Sequence, residues 1–256
     1  MKICKLRAAP IILCLFISAA AHSQEAKEPD NGTDPSRFST TAAVQYEHID
    51  LRPDFSIGTL NVSYFHPFGE KKNYNLRIRL PLVRTDVLGN NGYDIGDFSL
   101  KLNHVYKLTQ QYAIVLGAEL SFDTAKRPEL GTGKNVFKGT FIYAKFLEGG
   151  AIFAPAIVQS NSLWGDSSRA RVNNTVFDFY YVPKFSDPKY FATVDPALSF
   201  DWQTNKQFAS LAVTLGRSTG PAFGGSSQVF IKPTVFVGGE RPGNWGVEVG
   251  YKVIGF

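Results

Sequence analysis

From Thr40 to the terminal Phe256, one parity of the chain is apolar over segment after segment and the other carries the charges. Leu76, Ile78, Leu80 and Leu82 interleave with Arg77 and Arg79, and Phe98, Leu100 and Leu102 with Asp97, Lys101 and Asn103. Successive side chains of a strand point to opposite faces of its sheet, so the pattern predicts strands with one greasy and one charged face. About twelve such segments follow, near 40–49, 56–66, 74–83, 97–107, 112–122, 136–147, 150–160, 171–183, 190–202, 207–217, 227–237 and 245–254. Most approach the roughly 9–11 residues of a tilted membrane strand, and an even count suits a closed single-chain barrel.

A soluble sandwich would turn the charged face to water, whereas an outer-membrane barrel turns it onto a lumen. The apolar face reads Tyr112, Ile114, Leu116, Ala118, Leu120, Phe122 in one segment and Ala192, Val194, Pro196, Leu198, Phe200, Trp202 in another, with no carboxylate. A basic residue there would cost about 2–4 kcal/mol at the bilayer midplane, so its absence favours the barrel. Tyr46, Tyr106, Tyr112, Trp202, Trp245 and Tyr251 fall at segment ends, where interfacial aromatic girdles belong. The expected fold is all-β, a transmembrane antiparallel up-and-down barrel over 39–256. Pro155, Pro196 and Pro233 fall inside strand segments and predict bulges or early strand ends, because proline cannot donate to a ladder. Connections roughly alternate between short and long until late in the chain, where Gln203–Lys206 is short on the long-loop side and Ser218–Ser226 reads as a long loop on the short-turn side. It predicts either a loop folded into the lumen or a strand count off by one hairpin.

The N-terminus agrees with export. Lys2, Lys5 and Arg7 precede an apolar run from Ala8 to Ala21 and small residues before Gln24, the pattern of a secretory signal peptide over 1–23. Both cysteines, Cys4 and Cys14, lie in it, so the mature chain has no disulfide or Cys-based metal site. Residues 24–38 are rich in Pro, Asp, Asn and Gly and predict a flexible periplasmic arm. The formal charge is +5, and the signal segment holds three of the positive residues and no acids, which leaves +2. That is too little to predict nucleic-acid binding.

Candidate chemistry is sparse. His48, His66 and His104 stand apart, and neither hydrolase elbow, zincin motif nor phosphate loop occurs, so no metal or cofactor is expected. The nearest approach to a barrel lipid hydrolase is Asn103–His104 beside Ser99. The inward parity is richer, with Arg77, Arg79, Lys101, Lys138 and Lys232 against Glu47, Asp97, Glu119, Asp178, Asp195, Asp201 and Glu248. In a twelve-strand closure the third strand lies opposite the ninth, so bases on the third, fourth and sixth strands would face acids on the eighth and ninth. Such opposed walls make a transverse field able to orient polar or zwitterionic solutes. Alternatively, the charges pair with wall neighbours and fill the interior.

Gly96–Asp97 opening a strand, Leu130–Gly131–Thr132–Gly133–Lys134 after the fifth strand, Arg171–Val172–Asn173–Asn174, the late prolines and the aromatic-rich end at Phe256 carry a resemblance. Over roughly 40–256 the chain resembles the outer-membrane transporter family named for the meta-pathway of phenol degradation. It departs where Asp123–Thr124–Ala125 stands in place of the Pro-Thr-Gly that family tends to show. The resemblance implies a barrel of about twelve strands passing small, often aromatic or hydrophobic, compounds, with no catalytic residues. Together these readings predict a passive channel or receptor in the outer membrane, with a lipid hydrolase or a plugged structural or adhesive barrel as alternatives. Its expected partners are outer-membrane lipids, a small-molecule solute and the barrel assembly machinery, the last through the terminal aromatic Phe256. The apolar parity breaks between Val253 and Ile254, which predicts a bulge near Gly255 or an early strand end.

Overall fold

A computed structural model describes residues 30–89 and 92–256; the signal segment and residues 24–29 of the arm lie outside the described residues. The strands are β1 (Thr41–Leu51), β2 (Phe55–Phe68), β3 (Tyr74–Thr85), β4 (Asp94–Ile95), β5 (Ser99–Leu108), β6 (Tyr112–Ser121), β7 (Lys134–Phe146), β8 (Ile152–Gly165), β9 (Asn173–Val182), β10 (Tyr190–Asp201), β11 (Lys206–Ala222), β12 (Gly225–Val237) and β13 (Gly243–Ile254). All pairings are antiparallel, and β1 pairs with both β2 and β13, which closes a barrel of twelve long strands. The two-residue β4 extends the ladder of β3 beyond the start of β5.

Residues 30–40 and the end of β13 lie at the end of the barrel that carries the turns 69–73, 109–111, 147–151, 183–189 and 223–224. The opposite end carries the long 86–98 and 122–133, the intermediate 166–172, and the short 52–54, 202–205 and 238–242. Short turns are periplasmic in outer-membrane barrels, so the arm and the C-terminus share the periplasmic end. Ser218–Ser226 is not the long loop the sequence predicts. β11 continues to Ala222, β12 begins at Gly225, and only Phe223–Gly224 turns between them. Ser218 pairs with Gln228 and Pro221 with Ser226 across a bulge at Thr219. Small Gly and Ser side chains carry no apolar alternation, which is why this hairpin is silent in the sequence.

The three internal prolines produce neither bulges nor early ends. Pro155 coincides with a break in the β7–β8 ladder between Ile142↔Ala156 and Lys145↔Phe153, and the register is the same on either side. Pro196 does the same to β9–β10, and Pro233 to β11–β12. Each proline lacks the N–H that would point at that neighbour, while its other ladder runs through.

The outward face is apolar: Leu80, Leu102, Phe141, Ile157, Leu198 and Ile231 are all exposed to the surroundings of the barrel. Aromatic pairs mark its margins, Tyr74–His104 at 4.2 Å and Tyr112–Tyr143 at 5.5 Å near the periplasmic end, His48–Trp245 at 5.4 Å and Phe200–Trp202 at 5.9 Å near the other. One outward patch is polar. Gln159 Nε2 donates to Asn161 Oδ1 and Asn173 Oδ1, the Thr175 hydroxyl donates to Gln159, and Trp202 Nε1 donates to Thr175 Oγ1 at 2.8 Å. These groups satisfy one another, as a lipid-facing position demands. At the terminus β13 ends early: Gly255 takes φ 79°, its N–H donates to the Thr40 carbonyl, and Phe256 comes to lie beside Tyr64 at 6.5 Å.

Candidate functional site

The interior of the barrel is the only compartment where the charged parity meets. Antiparallel register places Arg77, Lys101, Glu119 and Lys138 in one row across β3, β5, β6 and β7, with Arg79 one inward position above Arg77. Glu119 is 5% exposed and accepts from Arg77 at 2.8 Å and from Arg79 at 3.4 Å. Lys101 and Lys138 lie within its field but make no hydrogen bond or ion pair among the described residues. This wall therefore sets four cations against one carboxylate.

Across the lumen, Lys232 of β12 binds Glu248 of β13 at 2.9 Å, Gln45 Nε2 donates to the same carboxylate, and Glu47 stands opposite Glu248 in the ladder. Asp178 of β9 and Asp195 of β10 interact with each other, and the Oδ1 atom of each is buried with no hydrogen-bond partner. In ladder order Arg77, Lys101 and Lys138 lie on β3, β5 and β7 and Asp178 and Asp195 on β9 and β10; Glu119 is embedded among the bases, Lys232 sits with Glu248 rather than with the bases, and Glu47 on β1 lies in the field of Arg79.

Two of the predicted lumen residues serve elsewhere. Asp97 precedes β5 and clamps two outer loops: Oδ1 accepts from the N–H groups of Thr124 and Ala125, and Oδ2 from the N–H and hydroxyl of Thr132. Asp201 ends β10 and caps the turn 202–205, accepting from Gln203 N, Thr204 N and Thr204 Oγ1. A carboxylate at a strand end has backbone donors within reach and turns to them. The hydrolase grouping does not assemble either. Ser99 is fully buried on the inward parity, whereas His104 is stacked on Tyr74 on the outer face.

Sequence reasoning missed the floor of the compartment. Residues 30–38, expected as part of a free arm, are folded with Ser39 and Thr40 and tied to the inner wall. Asp30 Oδ2 accepts from Ser39 Oγ, Asn31 and Asp34 close turns on Thr33 and Ser36, and Thr33 is 7% exposed. Tyr180 Oη donates to the Thr33 carbonyl at 3.0 Å and Lys252 Nζ to the Asn31 carbonyl at 2.9 Å. Lys252 also lies 5.0 Å from the Phe191 ring centroid and 6.0 Å from that of Phe230. Those rings lie flat over Gly216 and Gly250, where a Cβ would stand 2.0 and 2.3 Å from ring atoms, so both glycines are required there. The Asx-turn residues of the arm were the available signal; their low hydropathy hid it.

Between this floor and the charged belt is a cavity of about 440 Å³. Lys101, Asn75 and Asn103 line it on the basic side, Asp195, Lys232 and Glu248 on the acidic side, and Phe38, Phe65, Val115 and Ile142 below.

The architecture is a transmembrane β-barrel of the outer-membrane type, and solved structures bear this out. The chain is similar to an outer membrane channel from Pseudomonas putida F1, with a TM-score of 0.68 at 14% identity over 88% of this chain and 98% of that one. It is also similar to the NanC porin, TM-score 0.57 at 12% identity over 85% and 99% of the two chains. The KdgM porin, solved in complex with disordered oligogalacturonate, gives 0.56 at 11% identity over 83% and 98%. No family model and no curated protein matches the sequence.

Proposed function

We propose that the chain is an outer-membrane channel through which small solutes, including compounds with apolar or aromatic bodies, move down their own gradient. The observation that carries this reading is the cavity, bounded by opposed basic and acidic sectors above and by the folded segment 30–40 below. A wall built only to be filled would pair its charges completely; this one leaves Lys101 and Lys138 on one side and Asp178 and Asp195 on the other without opposite-charge contacts among the described residues. Ten of the predicted residues then line the path: Glu47, Arg77, Arg79, Lys101, Glu119, Lys138, Asp178, Asp195, Lys232 and Glu248. Planar-bilayer recording on the purified chain tests the reading, with stepwise conductance expected in potassium chloride. A silent protein that still migrates as a folded barrel on unheated gels would favour a plugged structural barrel, for which the bonds from Tyr180 and Lys252 to the arm are the supporting observation.

Phe256 is assigned to assembly. Its exposed ring beside Tyr64 at the periplasmic end supports a role in recognition by the assembly machinery. Deleting Phe256 is expected to lower heat-modifiable material in the outer membrane, and an unchanged amount would remove the role.

A further inference from the structure

The basic sector has more donors than its own acceptors can use. Beyond the excess of cations over Glu119, the Nε atoms of Arg77 and Arg79 and the hydroxyl of Ser99 are buried without any hydrogen-bond partner among the described residues. Ser99 is fully buried and pairs with Arg79 in the β3–β5 ladder, so all these donors belong to one patch of wall. Buried cations and donors left without acceptors are costly, and an anion entering the patch would remove that cost.

The cavity meets this patch at Lys101, and what lies below Lys101 is of the opposite kind. Toward the periplasmic end the lining passes through Asn75 and Asn103 to Val115, Ile142, Phe65 and Phe38, with Asp30, Asp34, Arg37 and Lys252 at the floor, two acids against two bases. We propose that the cavity binds a small organic anion, its carboxylate at Lys101 and its apolar body on Val115, Ile142 and the two phenylalanines. The volume of about 440 Å³ is within the range of small-ligand sites. Asp195 and Glu248 on the far side repel the same carboxylate and so fix its direction. This inference deepens the channel reading, since it rests on the lumen being the compartment that solutes enter.

Benzoate is the probe, with benzyl alcohol and benzylamine as its neutral and cationic counterparts. Calorimetric titration of the full barrel in nonionic detergent, against a detergent blank, measures binding without requiring conduction. Benzoate is expected to bind more tightly than either counterpart. Lys101→Met should weaken it about tenfold by removing the ion pair, and Glu119→Gln should tighten it by releasing Arg77 and Arg79. Should Lys101→Met lose heat-modifiable mobility, Lys138→Met and Glu119→Gln carry the test, since they change the same charge balance in opposite directions. Equal binding of benzoate and benzyl alcohol, or benzoate affinity indifferent to charge at 101, 119 and 138, would overturn the assignment. A protein that binds benzoate in this series but never conducts would lose the channel reading and keep the site; conduction without benzoate binding would do the reverse.

Discussion

Lys252 on the last strand holds Asn31 on the segment before the first: its ammonium donates to the Asn31 carbonyl at 2.9 Å while two phenyl faces flank it. The ammonium is held by a carbonyl and two ring faces, within the field of the Asp30 carboxylate on the same segment. Tyr180 makes the second bond, to Thr33.

Removing both links should free the segment. Each net hydrogen bond contributes about 1 kcal/mol, so Lys252→Met with Tyr180→Phe should raise the released fraction roughly thirtyfold. Faster amide exchange over 30–40 and larger conductance steps are expected. Unchanged exchange would mean that the turns at Asp30, Asn31 and Asp34 hold the segment by themselves.

Ion preference should follow the two sectors. Arg77→Gln with Arg79→Gln leaves Glu119 without its ion-pair partners and should move reversal potentials in a salt gradient toward cations. Asp195→Asn should move them toward anions. Asp201→Asn should do neither, because that carboxylate caps a turn, and the lipid-facing Leu80→Val should be silent as well.

Asp97→Ala should loosen the outer loops without touching the barrel wall. The loss leaves the N–H groups of Thr124, Ala125 and Thr132 without their acceptor, at about 1–3 kcal/mol. Limited proteolysis should cut within 122–133 in the variant at protease levels the parent resists, with heat-modifiable migration retained.

The outer rim should resist acid until the pH is low. The Ser56 N–H and hydroxyl hold the Asp86 carboxyl below the usual carboxylate range, and Ser168 does the same for Asp166. A carboxyl depressed by folding stabilises fully above its unfolded value of about 3.9, and that contribution is lost as pH falls through the lower folded value. Exchange protection around 56–86 and 166–168 should therefore be flat from neutral pH down to about 4 and decline below it. Asp86→Asn should remove the decline at the first site only.

The barrel was legible because a strand with one face in lipid and one in a lumen tends to alternate, and the outward parity of Leu76 to Leu82 and of Tyr112 to Leu120 is apolar throughout. Positions such as Arg77, Lys101, Glu119 and Lys138 followed from parity alone, since inward facing is a property of the strand. What failed lay where parity stops acting. Asp97 and Asp201 carry the inward parity but sit at strand ends, where backbone donors compete for a carboxylate. The 223–224 hairpin is built from small residues, and the segment 30–40 folds through Asx turns and one aromatic-framed lysine from the far end of the chain. No local pattern could pair residues 31 and 252.

The proline breaks fall at β7–β8, β9–β10 and β11–β12, every second seam around one side of the barrel, and the ladders between them are continuous. Mechanically, the wall is a hoop of two stiffnesses. A squeeze from the surrounding membrane, or a bulky solute inside, should ovalise the barrel by hinging at those three seams and at the short β3–β5 ladder, whose six pairs stop at Arg79 just before Pro81. Arg77, Arg79 and Lys101 flank the short β3–β5 seam and Asp178, Asp195 and Lys232 lie on the proline-broken side, so the gap between the sectors is the dimension that breathes.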